Sequence, residues 1–340
     1  MFRPLSARVS LSACLCAAAL MALSCSGPVV TAVGDADDLV IIAAGGGSES
    51  VALLLELAEA EVPWLLGEPV FEPVVTTPGQ SGDLKNIRHI IVLGTWDDRE
   101  LSRLARTAAP SLERGDPPRL TLVEDVWANR QVVGVVLGNS EAELEDFLRR
   151  QGAALVRSME AAAVKRLSDS LRETATEAGM AQAMRDRFGW SIAPPSGYDF
   201  YTTSSDEGFV FFRRTRPDRS VFVYWEEGGA GSVTEESATG RRNELASLYY
   251  DGDAIESRRP FLSEEVDFLG RRAIRLSGWW ANTELVGGGP FRSYCFYEPE
   301  QGRVYMIDVS LFAPSFDKTS LMRNLDAIAH TFESGTGSGS

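Results

Sequence analysis

Through the first half of the body of this chain, unbroken apolar runs alternate with segments whose apolar residues recur every three or four positions. Asp38 to Ala44 (DLVIIAA) reads as a buried strand, and from Ser48 a helix carries Val51, Leu54, Leu55 and Ala58 along one side. VFEPVV and IRHIIVLG read as further strands, the second leading into a helix over about 98–108. RLTLVEDVW and QVVGVVLG are strands again, and NSEAELEDFLRR opens a helix with a capping box, Ser140 to Glu143. Alternating strands and helices with short connections predict an α/β sandwich over residues 38–151.

From 152 to 188 the period stays helical, through Leu155, Met159, Ala163, Leu167 and Leu171, which predicts connecting helices between two halves. GWSIAPPSGYDF ends them with Pro194, Pro195 and Gly197. The pattern then switches to period two. GFVFFRR and SVFVYWEE pair as a hairpin across TRPD, and Ser232 with Glu235 caps a helix reaching about Tyr250. Strands follow near 265–268, 271–280, 290–298 and 303–312. A last helix from Phe316 carries Leu321, Leu325, Ile328 and Phe332 on one stripe, with Asp317 in its first turn. Residues 189–333 therefore read as an antiparallel sheet covered by helices, and 334–340 as a flexible tail. The fold class expected for the whole is α+β.

At 340 residues the chain has room for two domains with full cores, and 44% apolar content fits a globular body. The formal charge is -15, and Lys85, Lys165 and Lys318 are the only lysines. Such a surface repels nucleic acid, so no nucleic-acid partner is expected. High salt or a codon preference for Arg would each account for the lysine deficit. Three of the four cysteines, Cys14, Cys16 and Cys25, fall in the first 25 residues. Cys295 alone remains in the body, too few for a disulfide framework or a cysteine metal cage.

Those early cysteines sit in a leader. MFRPLSAR is short and basic, VSLSACLCAAALMAL is uncharged, and ALSC places small Ser24 directly before Cys25. The arrangement resembles a bacterial lipobox. It implies a signal peptide over 1–24, a lipid on Cys25 as the mature N-terminus, and a tether over 25–37 holding the body near the membrane. Two other readings stay open: ordinary cleavage after Ser24, or a retained membrane helix over Val9 to Val33, interrupted at Gly27-Pro28.

Several stretches also carry a family likeness: EDVWANRQVVGVVLGNSEAELEDFL, FGWSIAPPSGYDF, RRNEL, GRRAIRLSGWW, GGGPFRSYCF and SLFAPSFDKTSLMRNLDAIAHTF. Through them the whole mature chain resembles the Bacteroidota lipoprotein family known as domain of unknown function 4837. The resemblance implies envelope localisation and this architecture, with no activity attached. More loosely, the PPSGYDF start and the closing helix of the C-terminal half resemble PsbP and Mog1-like domains, which implies a binding or assembly role.

Candidate chemistries are few. Gly45-Gly46-Gly47-Ser48 lies between strand and helix, but Ser50 stands where a dinucleotide fingerprint needs glycine, so a tight turn capped by Ser48 is expected. A nucleophile triad needs an imidazole, and only His89 and His330 exist, the first inside a strand and the second near the end of a helix. GQSGD misses the nucleophile-elbow pattern, and Cys295 in SYCFY reads as a small core residue. Zinc fails on ligand supply, and the acidic DADD and DGD runs lack the helix-flanked calcium loop. No cofactor is expected. Glu226, Glu227 and Glu284 lie near tryptophans, as in a sugar site, among 48 acidic residues.

GWWANTELVGGGPFRSYCFYE, residues 278–298, is the densest cluster of unusual residues. Period two puts Ile274, Leu276 and Trp280 on one face and Arg275, Ser277 and Trp279 on the other, so one tryptophan belongs to the core. ANTELVGGGP reads as a hairpin loop. It is either structural, or a contact at which Gly287, Gly288 and Gly289 admit a partner's backbone, rimmed by Trp279, Asn282 and Arg292, of which Trp279 and Arg292 are expected to face outward. The function expected is a membrane-anchored envelope lipoprotein that binds a protein or envelope partner without catalysis. It would sit at the outer membrane in preference to the inner, with its body in the periplasm or at the surface. The alternatives are a carboxylate hydrolase of envelope polymers and a small-ligand or glycan binder.

Overall fold

The computed structural model describes residues 30–174, 178–202, 208–250, 252–282 and 286–335. The leader with Cys25, the start of the tether, Asp251 of the DGD run, Glu284 and the tail beyond 335 lie outside them.

The N-terminal half runs β1 (Asp38–Ile42), α1 (Glu49–Ala58), β2 (Glu72–Thr76), β3 (His89–Thr95), α2 (Arg99–Ala108), β4 (Thr121–Glu124), β5 (Val132–Gly138) and α3 (Glu141–Thr174). Its sheet has the order β2-β1-β3-β5-β4, parallel throughout except for β4 at one edge. The unbroken apolar runs have a physical reason here. A parallel sheet covered on both faces buries alternate side chains in opposite directions, and every residue of β5 is buried. One face packs on α2 through Leu101, Leu104 and Ala105; the other packs on α1 and α3 through Leu54, Leu148 and Met159. Ser48 caps α1, its Oγ accepting the Val51 N–H at 3.3 Å. Glu141, at the start of α3, accepts the Ser50 N–H at 3.0 Å, so the amides after the glycine triplet are occupied by the chain itself.

α3 is 34 residues long, about 51 Å at 1.5 Å per residue, and passes unbroken through the boundary expected at 151/152. α4 (Ala178–Phe188) follows. Among the described residues no helix is long and apolar enough to cross a membrane.

The C-terminal half comprises β6 (Trp190–Ser191), β7 (Asp199–Thr202), β8 (Phe209–Arg214), β9 (Asp218–Glu227), α5 (Glu235–Tyr249), β10 (Ala254–Ile255), β11 (Leu262–Phe268), β12 (Arg271–Asn282), β13 (Gly287–Glu298), β14 (Arg303–Phe312), α6 (Lys318–Ala329) and β15 (Glu333–Ser334). β6 pairs with β15; the rest form one antiparallel sheet ordered β10-β12-β13-β14-β9-β8-β7, with β11 also on β12. The architecture is α+β, as expected. Two local expectations shift. α5 is capped by a box between Thr234 and Ser237, two residues beyond the expected Ser232–Glu235 pair. Asp317 makes no side-chain cap on α6, and Glu68, far away in the N-terminal half, accepts the Lys318 N–H at 2.8 Å instead.

Both faces of the C-terminal sheet are covered. α5 lies on one, over Phe222, Leu276, Phe291 and Met306. α6 lies on the other with Leu325, Ile328 and Phe332, together with Val62, Trp64 and Leu65 from the N-terminal half. The two halves thus share one core. Polar contacts reinforce it: Ser168 on α3 donates to the Ala327 carbonyl at 2.9 Å, and Arg323 donates to the carbonyls of Ala36 and Val70.

Candidate functional site

The hairpin of β12 and β13 splits the tryptophan–glycine cluster between the two sheet faces. The alternation is as read, with Leu276 and Trp280 toward α5 and Trp279 opposite. The opposite face is not solvent. Trp279 is 9% exposed, its Nε1 donates to the Trp64 carbonyl at 2.7 Å, and Arg259 lies over its ring at 4.3 Å. Arg292 pairs with Asp326 at 2.7 Å, donates to Ser277 Oγ at 3.2 Å and sits over the Trp64 ring at 4.9 Å. The outward orientation expected of Trp279 and Arg292 is therefore corrected: both point into the core shared by the two halves. Burial alone would push Asp326 up, but Arg292, with His330 and the Tyr294 hydroxyl, holds its carboxyl below the usual range.

The glycines are strand residues paired with β12, Gly287 opposite Asn282 and Gly289 opposite Trp280. A Cβ on Gly289 would stand 1.8 Å from the Leu311 carbonyl oxygen, so this position has to lack one. Gly288 faces the Trp280 backbone, where a Cβ would come within 2.9 Å. Asn282 is buried and donates to Asp253 Oδ1 at 2.8 Å.

Asn282, Gly287 and Trp280 do share one feature that the sequence did not predict, a pocket of about 270 Å³ on the α5 side. Phe211 from β8, the Tyr249–Tyr250 pair ending α5, and Leu311 and Phe312 at the end of β14 complete its apolar wall. The rings are set by one another: Tyr249 stacks on Phe209 at 3.8 Å, Phe211 meets Tyr250 edge-on at 5.2 Å, and Trp280 lies 6.2 Å from Phe312. Its charged groups and serines engage partners within the fold, whereas the buried Tyr250 hydroxyl has no hydrogen-bond partner among the described residues. Arg213 grips Asp218 with two hydrogen bonds, Ser220 and Ser310 share one of 2.6 Å, and Asn282 holds Asp253. Deeper in the same face Asp308 is fully buried against Arg242 and Ser293, and burial pushes its carboxyl up. Burial likewise pushes the Tyr250 hydroxyl up, with the Asp308 charge adding to it. The sequence signal for this pocket was consecutive tyrosines at a helix end just before Asp253, a place where one side chain in two would ordinarily face solvent.

The remaining candidates fall elsewhere. His89 is buried in β3 and His330 ends α6, its Nδ1 2.8 Å from the Asp326 carbonyl. The two stand in different halves. Cys295 is buried, and desolvation pushes its thiol up to about 12, far from a reactive thiolate. Glu226 is held by Arg241 at 2.6 Å. Among the described residues no group of three or more His, Cys, Asp or Glu side chains is placed to hold a metal ion.

Comparison with known proteins finds a family model that matches part of the chain. No curated protein matches it. Among solved structures, a mutant of protein Mog1 is similar over 44% of this chain and 93% of its own, with 11% identity and a TM-score of 0.32. The Ran-binding protein Mog1p of Saccharomyces cerevisiae is similar over 43% and 90%, at 11% identity and a TM-score of 0.31. LpqN of Mycobacterium tuberculosis, described as involved in cell envelope biogenesis, is similar over 43% and 83%, at 12% identity and a TM-score of 0.31. The family match is narrower than the whole mature chain. Residues 177–331, from α4 to the end of α6, match the family described as domain of unknown function (DUF4837).

Proposed function

We propose that this protein is a lipid-anchored lipoprotein of the cell envelope that acts without catalysis, its C-terminal half binding a protein or other envelope partner. The observation that supports this best is the aromatic pocket. Its charged groups and serine hydroxyls are paired within the fold, which leaves mainly ring surface and the Tyr250 hydroxyl to contact a guest, and that suits an apolar or aromatic side chain of a partner. Phe312 on its wall is 40% exposed, and Val286, next in the chain to Gly287, is 88% exposed. Each offers apolar surface at or beside the mouth.

A photo-cross-linking residue placed at Phe312 in the native host tests the reading. A discrete protein adduct is expected, and it should vanish in Gly287→Val. The atoms nearest a Cβ at Gly287 belong to the Trp280 and Phe312 rings, at 3.7 and 3.8 Å, ordinary contact distances, so this change fills the pocket with little strain. An adduct that survives the filling sinks the pocket as the contact. The anchor is tested separately: Cys25→Ala should abolish labelling by a fatty-acid precursor, and unchanged labelling rules out lipidation at that residue.

A second reading has one observation in its favour. Asp218 and Asp253 line the same pocket as Trp280, as two carboxyls beside an aromatic platform do in a glycan site. It requires purified cell-wall glycan to release product, and Asp253→Asn to stop that release.

A further inference from the structure

The outward side of α2 carries Arg99, Arg103 and Arg106, spaced four and three residues apart and hence on one stripe. With Arg114 from the following loop they line an open groove of about 420 Å³ whose other lining residues are Trp96, Ser102 and Thr107. No carboxylate lines it, although the chain has 48 acidic residues against 33 basic ones. Most arginines of the molecule are neutralised by ion pairs. Arg114 has Asp97 at 2.5 Å, but Arg99, Arg103 and Arg106 have no ion-pair partner among the described residues. Like charges at this spacing repel, so the helix face is stabilised by any anion that bridges them.

Two further features point the same way. The Arg106 guanidinium rests over the Trp96 ring at 5.6 Å, which fixes its plane at the groove floor. The Trp96 Nε1–H is buried and has no acceptor among the described residues, an unmet donor on a residue that lines the groove. Planar guanidinium groups bind phosphate oxygens two at a time, and several converging forks suit a group with many charged oxygens better than a single carboxylate. We infer that this groove, on the α2 side of the N-terminal sheet and away from the aromatic pocket, binds a phosphate-bearing anion. The site does not depend on the reading of the pocket.

Calorimetric titration of the purified full chain with pyrophosphate, alongside sedimentation with phosphatidylglycerol or phosphatidylcholine vesicles, tests it. Saturable binding to pyrophosphate identifies a soluble source of the phosphate. Binding only to the anionic vesicles identifies a lipid headgroup. In either case Arg103→Ala with Arg106→Ala should weaken binding at least tenfold. The paired arginines are exposed, so their variant should keep the parent's circular dichroism and unfolding midpoint. Absence of saturable binding to both probes overturns the inference, and so does binding that the double variant retains.

Discussion

His89 sits inside β3 with its Nδ1 3.0 Å from the Asp38 carbonyl, so Nδ1 carries the proton of a neutral ring. Burial, with Arg323 nearby, lowers its pKa to about 3 from 6.5. The folded protein therefore takes up this proton only near pH 3, while the unfolded chain takes it up near 6.5. Its contribution is complete above about pH 6.5 and is lost as pH falls toward 3, on the order of 5 kcal/mol across that window. Urea midpoints of the wild type should fall between pH 6.5 and 4, and His89→Asn should flatten that slope; parallel slopes would show that other groups govern it. Arg292 has a different consequence. Its removal strands the Asp326 carboxylate, 6% exposed, in the shared core, and Arg292→Ala should cost ~3–5 kcal/mol in denaturant unfolding. A loss below about 1 kcal/mol would return this residue to the surface role first expected of it.

At the scale of elements, the β12–β13 hairpin separates what the sequence could convey from what it could not. Alternation correctly assigned Trp279 and Trp280 to opposite faces, because side-chain direction in a strand is a local property. Which face is wet is not local. Antiparallel sheets commonly leave one side to solvent, and here Trp64, 215 residues away from Trp279 in the chain, occupies that side. The same limit hid the capping of α6 by Glu68, whereas the Ser48 cap and the Gly45–Gly47 turn needed only neighbouring residues and were read directly. The pocket was not legible as such; of its lining only Asn282 and Gly287 were singled out from the sequence, as part of a hairpin contact. Its tyrosines and Phe211 were not, since five separate strands and a helix end have to meet before they line anything. The hairpin carries its own prediction. Gly289→Ala forces a methyl against the Leu311 carbonyl and should part β13 from β14 locally, costing ~1–3 kcal/mol. Amide exchange should accelerate at Phe291 and Ser310, a pair just beyond that contact. Unchanged protection there would mean that the strands absorb the methyl without separating.

For the whole molecule, the shared core decides how it unfolds. Val62, Trp64 and Leu65 are as much part of the C-terminal hydrophobic cluster as Leu325 or Phe332. Thermal unfolding should accordingly give one transition, with fluorescence and far-UV circular dichroism superimposing, despite two sheets of different type. Separate transitions would show the halves to be independent. A fragment starting at 189 should bind a hydrophobic dye, because its sheet loses the cover over Trp279.

The 62–68 segment forms a ledge under the C-terminal sheet, and it limits how the two halves can be exchanged. The family match begins at 177, more than a hundred residues after Trp64 and Glu68, yet those two residues cap its last helix and floor its sheet. Replacing Trp64 would remove the ring under Arg292, and replacing Glu68 would remove the partner of Lys318. Exchanging either half for that of a distant relative should therefore fail unless the ledge travels with the sheet it covers.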